Sequence, residues 1–154
     1  MASQDLTYLD IQQGTNNAPH KPVLLLAIMR AIELGLVSEN KIRITDELIG
    51  LYHCYWKKLV RSNHVANFHL PFYHLSNDGA NLWNIKKIVG FDNNVLSASN
   101  SPKGLRALRQ YVEYGELRQD IFLRWIDPVQ RELVSGSLKE ACVLVNSQYR
   151  AWAR

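Results

Sequence analysis

An almost uninterrupted apolar segment near the N-terminus, VLLLAIMRAIEL (Val23–Leu34), limits the folds open to this chain. Only Arg30 and Glu33 interrupt it, so a helix of this sequence has almost no polar face to turn towards water. Pro22 suits the first helical position, where a missing N–H costs nothing, and Gly35 suits the stop. The segment therefore predicts a helix through the centre of the core, with the remaining elements packed around it.

Composition places the chain among globular proteins. It has 154 residues, of which 47% are hydrophobic and 21% charged, and this balance predicts one domain spanning residues 1–154. Residues 1–17 are polar enough to predict a loosely ordered lead-in to that domain. The 18 Lys and Arg residues against 14 Asp and Glu residues give a formal net charge of +4, which indicates a mild preference for polyanionic partners.

The sequence predicts a cytoplasmic protein that does not insert into a membrane. No apolar stretch reaches the roughly 18 residues that a membrane span needs. The opening MASQDLTYLD carries two acids and no basic-plus-apolar stretch, so it predicts no secretory signal. Cys54 and Cys142 are far apart and form no metal-binding spacing, which predicts two reduced, buried thiols.

A second helix is predicted over Asp46–Val60. Thr45 can cap its first turn, and Asp46 and Glu47 lie where the helix dipole favours negative charge. The cations near its end are Lys57, Lys58 and Arg61. They suit the negative end of the dipole whether or not they also bind a ligand.

The middle of the chain changes period. FHLPFYHL (Phe68–Leu75) is rich in aromatic residues, SNDGAN (76–81) is typical of a turn, and LWNIKKIV (Leu82–Val89) alternates as a strand does. Together they predict a β-hairpin. Pro71 would confine its first arm to a sheet edge or a bulge, because proline cannot donate to a strand ladder.

Beyond this hairpin the pattern is helical again. The predicted segments are a helix from Ser101-Pro102 to Gly115, a helix over Glu116–Ile126, and a helical stretch to Arg154 with a break at Ser135–Ser137. Two helices, a hairpin and further helices predict a mainly α, α+β domain with a small β-hairpin and a winged-helix-like body.

No active site is predicted. Phosphate-binding-loop, dinucleotide-binding, nucleophile-elbow and zinc-protease motifs do not occur in the sequence. His69 and His74 would lie on opposite faces of a strand, and no acidic residue between Glu47 and Asp78 could complete a metal site. Asp78 with Asn84–Lys86 lacks the second carboxylate that a metal-dependent nuclease needs. The prediction is a binding protein without catalytic residues, cofactor or metal.

Three stretches occur in a particular order. APHKPVLLLAIMRAIELG (Ala18–Gly35) is followed by LPFYHLSNDGANLW (Leu70–Trp83) and then by SPKGLRALRQYVEYG (Ser101–Gly115). This order, with its H-K-P-V-L-L-L and P-F-x-x-L signals, resembles the sulfur-binding domain of phosphorothioation-dependent restriction endonucleases. In that family the domain accompanies a separate HNH nuclease domain. The resemblance covers roughly Ala18–Leu117 and implies recognition of DNA in which sulfur replaces a non-bridging phosphate oxygen.

The resemblance also implies where the sulfur binds. In the family, sulfur enters a shallow apolar surface cavity walled by a proline ring, a neighbouring aromatic and residues just ahead of the first long helix. The matching positions are His20, Lys21, Leu70, Pro71 and His74. Leu70 stands where a tyrosine is usual, and His74 stands where a small residue is usual. Sulfur is a poorer hydrogen-bond acceptor than oxygen, so a pocket of C–H groups would favour it.

The other predicted DNA contacts are cations or lie at a helix start. Asn100 and Ser101 would receive a phosphate at the N-terminus of the predicted third helix, with Lys103 and Arg106 on its first turns. Candidates for backbone contacts are Arg30, Lys57, Lys58, Arg61, Lys86 and Lys87. The implied partners are phosphorothioate-bearing duplex DNA and either a nuclease domain or a second copy of the chain.

Two other classes of function stay open. One is a winged-helix DNA-binding regulator without preference for sulfur. The other is a protein-interaction module that binds no nucleic acid. Binding to matched duplexes with and without a phosphorothioate link distinguishes the regulator from a sulfur-binding domain. Binding to DNA at low salt tests the protein-interaction module, which should bind neither duplex.

Overall fold

The computed structural model describes residues 19–77, 81–90, 96 and 101–153. Within them the helices are α1 (His20–Glu33), α2 (Asp46–Leu59), α3 (His69–His74), α4 (Leu105–Tyr111), α5 (Gln119–Ile126) and α6 (Pro128–Ala153). The strands are β1 (Lys41–Ile42), β2 (Trp83–Lys87) and β3 (Val112–Leu117), which form an antiparallel sheet of order β1-β3-β2. The predicted mainly α, α+β class is confirmed, and the predicted lead-in over residues 1–17 lies outside the described residues.

Helix α1 occupies the centre of the core, as its sequence predicts. All residues from Val23 to Met29 are buried, and the helix packs against α2, α3, α5 and α6. It ends at Gly35, whose φ of 79° lets the Leu36 N–H donate to the Ala31 carbonyl at 2.9 Å. The helix starts at His20 rather than at Pro22, so His20 and Lys21 belong to its first turn instead of preceding it.

Helix α2 matches its prediction to within one residue. The Thr45 hydroxyl accepts a hydrogen bond from the Leu48 N–H at 3.1 Å, which satisfies one of the free donors of the first turn. At the other end, the Arg61 guanidinium donates to the Lys57 carbonyl at 3.1 Å. Both ends of α2 are therefore closed by side chains adjacent to the helix.

The predicted β-hairpin is wrong in its first arm. Within this arm His69–His74 form α3, and the chain then enters a 3₁₀ turn over Leu75–Asn77. The buried residues of this segment are Phe68, Pro71, Phe72 and Leu75, a helical spacing. Pro71 is the third residue of α3, where the N–H has no partner within the helix, so it does not break the helix and does not guard a sheet edge.

The second arm of the predicted hairpin is a strand, but its partner is different. Strand β2 pairs with β3, with Trp83 opposite Leu117 and Ile85 opposite Gly115. The residues of β3 were predicted to be helical because Gly115 resembles a helix stop. Instead, a Cβ at position 115 would overlap the Trp83 ring, so this glycine allows the indole to lie against the strand.

Two of the later helices start further along the chain than predicted. Helix α4 begins at Leu105, because Pro102 forms an isolated antiparallel bridge with Leu96 before the helix starts. Helix α5 begins at Gln119 rather than Glu116, since β3 continues to Leu117. The end of α5 before Pro128 is as predicted.

Helix α6 has no break at Ser135–Ser137, contrary to prediction. Val134 and Leu138, on either side of that segment, are both buried, so one continuous helix keeps them on the same face. Gly136 is exposed and has open space around it. Burial of the flanking residues thus outweighs the low helix propensity of the short polar segment.

The two cysteines differ in exposure, whereas both were predicted to be buried. Cys142 is buried as predicted, and burial raises its pKa to about 11, whereas Cys54 is exposed, contrary to prediction. Cys54 lies on the outer side of α2, away from the residues that this helix buries.

Among the described helices, none combines the length and the apolarity that crossing a membrane requires.

The first elements follow a winged-helix order. In chain order these elements are helix α1, strand β1, helices α2 and α3, and strands β2 and β3, with α4 inserted before β3. Strand β3 lies between β1 and β2 in the sheet.

Candidate nucleic-acid interface

The first turn of α1 meets the loop that follows α2. The His20 Nε2–H donates to the Val65 carbonyl at 2.8 Å. The His20 ring also lies 4.8 Å from the Trp56 ring and 6.2 Å from the His64 ring, measured between centroids. These contacts hold the loop between α2 and α3 against the N-terminal end of the central helix.

Helix α3 completes the same region because it packs on α1. Lys21 is only 8% exposed, and its charge is a cause, after burial, of the lowered pKa of His74. The two side chains are therefore close enough for their charges to repel. On α3, Leu70 is half-buried, whereas Pro71 is buried rather than exposed as a cavity wall would be.

Four histidines and one lysine form a single group, which we call the histidine–lysine cluster. Its members are His20, Lys21, His64, His69 and His74. Burial lowers the pKa of His20 most, repulsion from His64 and His69 lowers it further, and the hydrogen bond to Val65 acts in the opposite direction. Burial also lowers the pKa of His69, with His74 adding repulsion. The imidazoles of His20, His69 and His74 thus favour the neutral form in the absence of an anion.

The two stretches of sequence that contribute residues to this cluster contain no acidic residue. Neither 19–32 nor 48–77 includes an Asp or a Glu. The second stretch carries Lys57 and Lys58 on the last turn of α2 and Arg61 just beyond it. These cations adjoin the loop that packs on His20, so a basic surface surrounds the cluster. Such a surface attracts anions.

A metal-binding role has no support among the described residues. No group of three or more His, Cys, Asp or Glu side chains there is placed to hold a metal ion. The histidines instead contact backbone, a hydroxyl or other rings, as His64 does through its 2.6 Å contact between Nδ1 and the Ser62 Oγ.

The residues predicted to hold sulfur come together, although they do so differently from expectation. His20 and Lys21 lie on the first turn of α1, and Leu70, Pro71 and His74 lie on the helix packed against it. They meet at a helix–helix contact, whereas the sequence predicted a hairpin beside a loop. The cluster also includes His64 and His69, which the sequence analysis did not assign to the site.

Arg30 is a predicted DNA contact that the fold places elsewhere. It lies ten residues beyond His20 on the same helix, about 15 Å along its axis. Its guanidinium pairs with Glu33 at 2.8 Å and lines a cleft of about 200 Å³ between α1, α2 and α6. Arg30 therefore belongs to a different surface from the histidine–lysine cluster.

The predicted phosphate site at a helix start is wrong in its geometry. Ser101 is buried and lies before Gly104, the residue that precedes α4, while Asn100 lies outside the described residues. Lys103 and Arg106 are exposed at the start of this short helix. The cations of β2 are also exposed, and Lys87 Nζ lies 5.5 Å from the centre of the Tyr111 ring.

A sequence signal for the missed histidines exists. His64, His69 and His74 recur every five residues within the acid-free stretch 48–77. No acidic residue in this stretch balances its positive charges. That lack, more than the spacing of the histidines, indicates a surface for anions, since structural cations usually have acidic neighbours.

Comparison with known proteins identifies no relative. No family model matches the chain, and no curated protein matches it. Inference about function therefore depends on the histidine–lysine cluster and on the basic surface around it.

Proposed function

We propose that this chain is a DNA-binding module that recognises phosphorothioate-modified DNA and targets it for a restriction nuclease outside this sequence. The observation that carries the proposal is the position of the buried Lys21 beside His74, on the helix that carries Leu70, in two stretches of sequence (19–32 and 48–77) that contain no acidic residue. The module acts in the cytoplasm, needs no cofactor and catalyses no reaction itself.

Electrostatics supports the DNA-binding part of this proposal. Lys21 is 8% exposed, so solvent screens the attraction between its charge and a phosphate less than it would for a fully exposed lysine. Lys57, Lys58 and Arg61 supply further positive charge on the adjoining end of α2. Affinity for DNA should therefore fall steeply as the salt concentration rises.

The chemistry of the cluster supports selection of sulfur over oxygen. Leu70 and the methylene stem of Lys21 present C–H groups, against which a phosphate oxygen would lose hydrogen bonds with water. Because Pro71 is buried, we assign the contacts with sulfur to Leu70, His74 and the Lys21 stem. A difference of one apolar contact of this size is worth about 1–3 kcal/mol, or about 10-fold or more in affinity.

The test compares two duplexes that are identical except for one phosphorothioate link. Fluorescence anisotropy at low salt should show at least about 10-fold tighter binding to the modified duplex. Leu70→Asn should remove most of this preference, because the polar side chain also accommodates an oxygen. Pro71 is a poor target for the same test, since it is buried and its replacement would unsettle α3.

Lys58→Ala is the matched control. Lys58 is exposed on the last turn of α2, so its loss should weaken binding to both duplexes by the same factor. Circular dichroism should show that both variants keep the wild-type fold. Equal affinity of the wild-type protein for the two duplexes would rule out sulfur recognition.

A second candidate is a winged-helix DNA-binding regulator without sulfur preference. The observation in its favour is the order of the elements, which puts α3 in the place of a DNA-reading helix and puts His69, Leu70 and His74 on it. Equal, salt-sensitive binding to the two duplexes supports this candidate. No binding to either duplex at low salt would point instead to a module that binds proteins.

A further inference from the structure

The cleft that Arg30 lines, where α6 packs against α1 and α2, includes no residue of the histidine–lysine cluster. We call it the α1–α2–α6 cleft. Its polar residues recur three or four positions apart, so they share one face of each helix. They include Arg30 and Glu33 on α1 and Glu132, Ser135 and Lys139 on α6. Its volume of about 200 Å³ is below the roughly 300–1,000 Å³ of sites for drug-sized ligands, so a ligand here is a smaller molecule.

Cations outnumber carboxylates around this cleft by one. Arg30, Arg131 and Lys139 line it together with two acids, Glu33 and Glu132. Among the described residues, the ion pair within this set joins Arg30 to Glu33 at 2.8 Å. The hydrogen bond from Arg30 lowers the pKa of Glu33, and the charge of Arg131 lowers it further, so both guanidiniums lie near this carboxylate. One positive charge is therefore left without a partner of opposite sign.

Both guanidiniums keep donors for a ligand. Arg30 donates to the Glu33 carboxylate through Nη1, and Arg131 donates through Nη1 to the carbonyls of Trp125 at 2.9 Å and Ile126 at 3.3 Å. Within the part of the chain that the structure describes, these bonds leave Nε and Nη2 of each group for other acceptors. Nε and Nη2 together present the fork of N–H groups that binds both oxygens of a carboxylate.

Hydroxyl groups and a small apolar surface complete the cleft. Burial raises the pKa of Tyr55 above its ordinary value, so its phenol is protonated at neutral pH and can donate a hydrogen bond. Ser135 is half-buried and adds a second hydroxyl. Leu26 and Met29 also line the cleft and are almost completely buried. They offer contact to a few carbon atoms of a ligand and no more.

We propose that the α1–α2–α6 cleft binds a small organic carboxylate with one negative charge, held by Arg30, Arg131 and Lys139. One negative charge matches the excess of one cation. A phosphate monoester carries about −1.5 to −2 at neutral pH, so Glu33 and Glu132 would repel the part of its charge that the excess cation does not balance. The proposal does not depend on DNA binding, because the cleft and the histidine–lysine cluster share no residue.

NMR titration of the isotope-labelled full chain with acetate tests the proposal. Acetamide has nearly the same shape without the charge, and sodium chloride holds the ionic strength constant in both titrations. Acetate should shift the side-chain Nε–H signals of Arg30 and Arg131 and the amide signal of Ser135, with a millimolar dissociation constant. Acetamide should leave these signals in place, and inorganic phosphate should bind no more tightly than acetate.

Arg30→Gln should weaken acetate binding at least about 10-fold, because it removes one fork of donors together with the excess charge. Its unfolding midpoint should stay near that of the wild type, since an exposed ion pair adds little stability. Arg43→Gln is the matched control. Arg43 also pairs with an exposed glutamate, Glu113, at 3.8 Å, but lies outside the cleft, so this variant should bind acetate like the wild type.

Four outcomes would overturn the proposal. They are equal shifts with acetate and acetamide, no shift with either, shifts confined to His20 and His74, and the same loss of acetate affinity in the two variants. Failure of this test would leave the DNA-binding proposal intact, because the duplex comparison probes the other end of α1.

Discussion

At the scale of single residues, Gly115 and Trp83 show how one missing side chain shapes the sheet. The Trp83 ring occupies the space that a Cβ at position 115 would need. The buried indole N–H also donates to the Phe72 carbonyl of α3 at 2.7 Å. The ring therefore lies against β3 on one side and is held by a hydrogen bond to α3 on the other. Together these contacts set the distance between the sheet and the helix that carries half of the candidate site.

Gly115→Ala should lower the free energy of unfolding by about 1–3 kcal/mol, because the Trp83 ring must shift in a close-packed core. Urea unfolding of the variant would measure the loss. Gly50→Ala is the control: Gly50 lies in α2 with open space around it, so alanine there should stabilise the protein by about 0.5–1 kcal/mol. A Gly115 variant as stable as the wild type would mean that the indole can move freely.

Individual site residues could be named from the sequence, but their surroundings could not. The resemblance assigned His20, Lys21, Leu70, Pro71 and His74, and the fold brings these residues together. Burial of Pro71 and the participation of His64 and His69 depend on how α3 packs on α1. That packing is a non-local contact, which no local pattern of residue types reveals.

At the scale of elements, predictability depended on how much each helix or strand relies on its neighbours. Helix α1 is apolar on nearly all sides and α2 carries its own cap, so α2 could be predicted to within one residue and α1 to within two. Helix α3 was missed because its aromatic residues are typical of strands and its proline is unfavourable inside a helix. Strand β3 was missed because its pairing with β1 and β2 is decided by residues distant in sequence.

The cap of α2 can be tested separately. Thr45→Ala should lower the free energy of unfolding by about 1 kcal/mol, because the Leu48 N–H loses its acceptor. Thr45→Ser keeps an oxygen at this position and should restore most of the stability. Thermal or urea unfolding of the two variants gives the comparison, and equal losses in both would show that the cap contributes nothing.

At the scale of the whole molecule, the charges near the two ends of α1 differ. The histidine–lysine cluster lies at the N-terminal end, in acid-free sequence, while Glu33 and Arg131, which carry opposite charges, both line a groove at the C-terminal end. The buried run of α1 lies between these regions. One helix therefore supports an anion-attracting surface at its N-terminal end and a groove of mixed charge at its C-terminal end.

The cluster should make the stability of the whole protein depend on pH. The pKa values of His20, His69 and His74 lie below the ordinary 6.5 in the folded protein, mainly because of burial. The unfolded chain therefore binds more protons just below pH 6.5, so the free energy of unfolding should fall as the pH drops through that range and level off above it. Urea unfolding at stepped pH values would measure this slope.

His69→Gln should make this slope shallower, because it removes one of the buried imidazoles. His53→Gln is the control, since His53 is exposed on α2 and lies outside the cluster. A free energy of unfolding that rises as the solution becomes more acidic would contradict the assignment of these histidines to a shared, desolvated group.

The exclusion of carboxylates from the segments around Lys21 has one more consequence. An anion that docks there brings negative charge beside the neighbouring imidazoles, and it favours their protonated forms. Binding of the anion would then be accompanied by uptake of protons by the protein. The heat released on mixing would consequently vary with the ionisation enthalpy of the buffer, and mild acid would tighten the complex while loosening the unliganded fold.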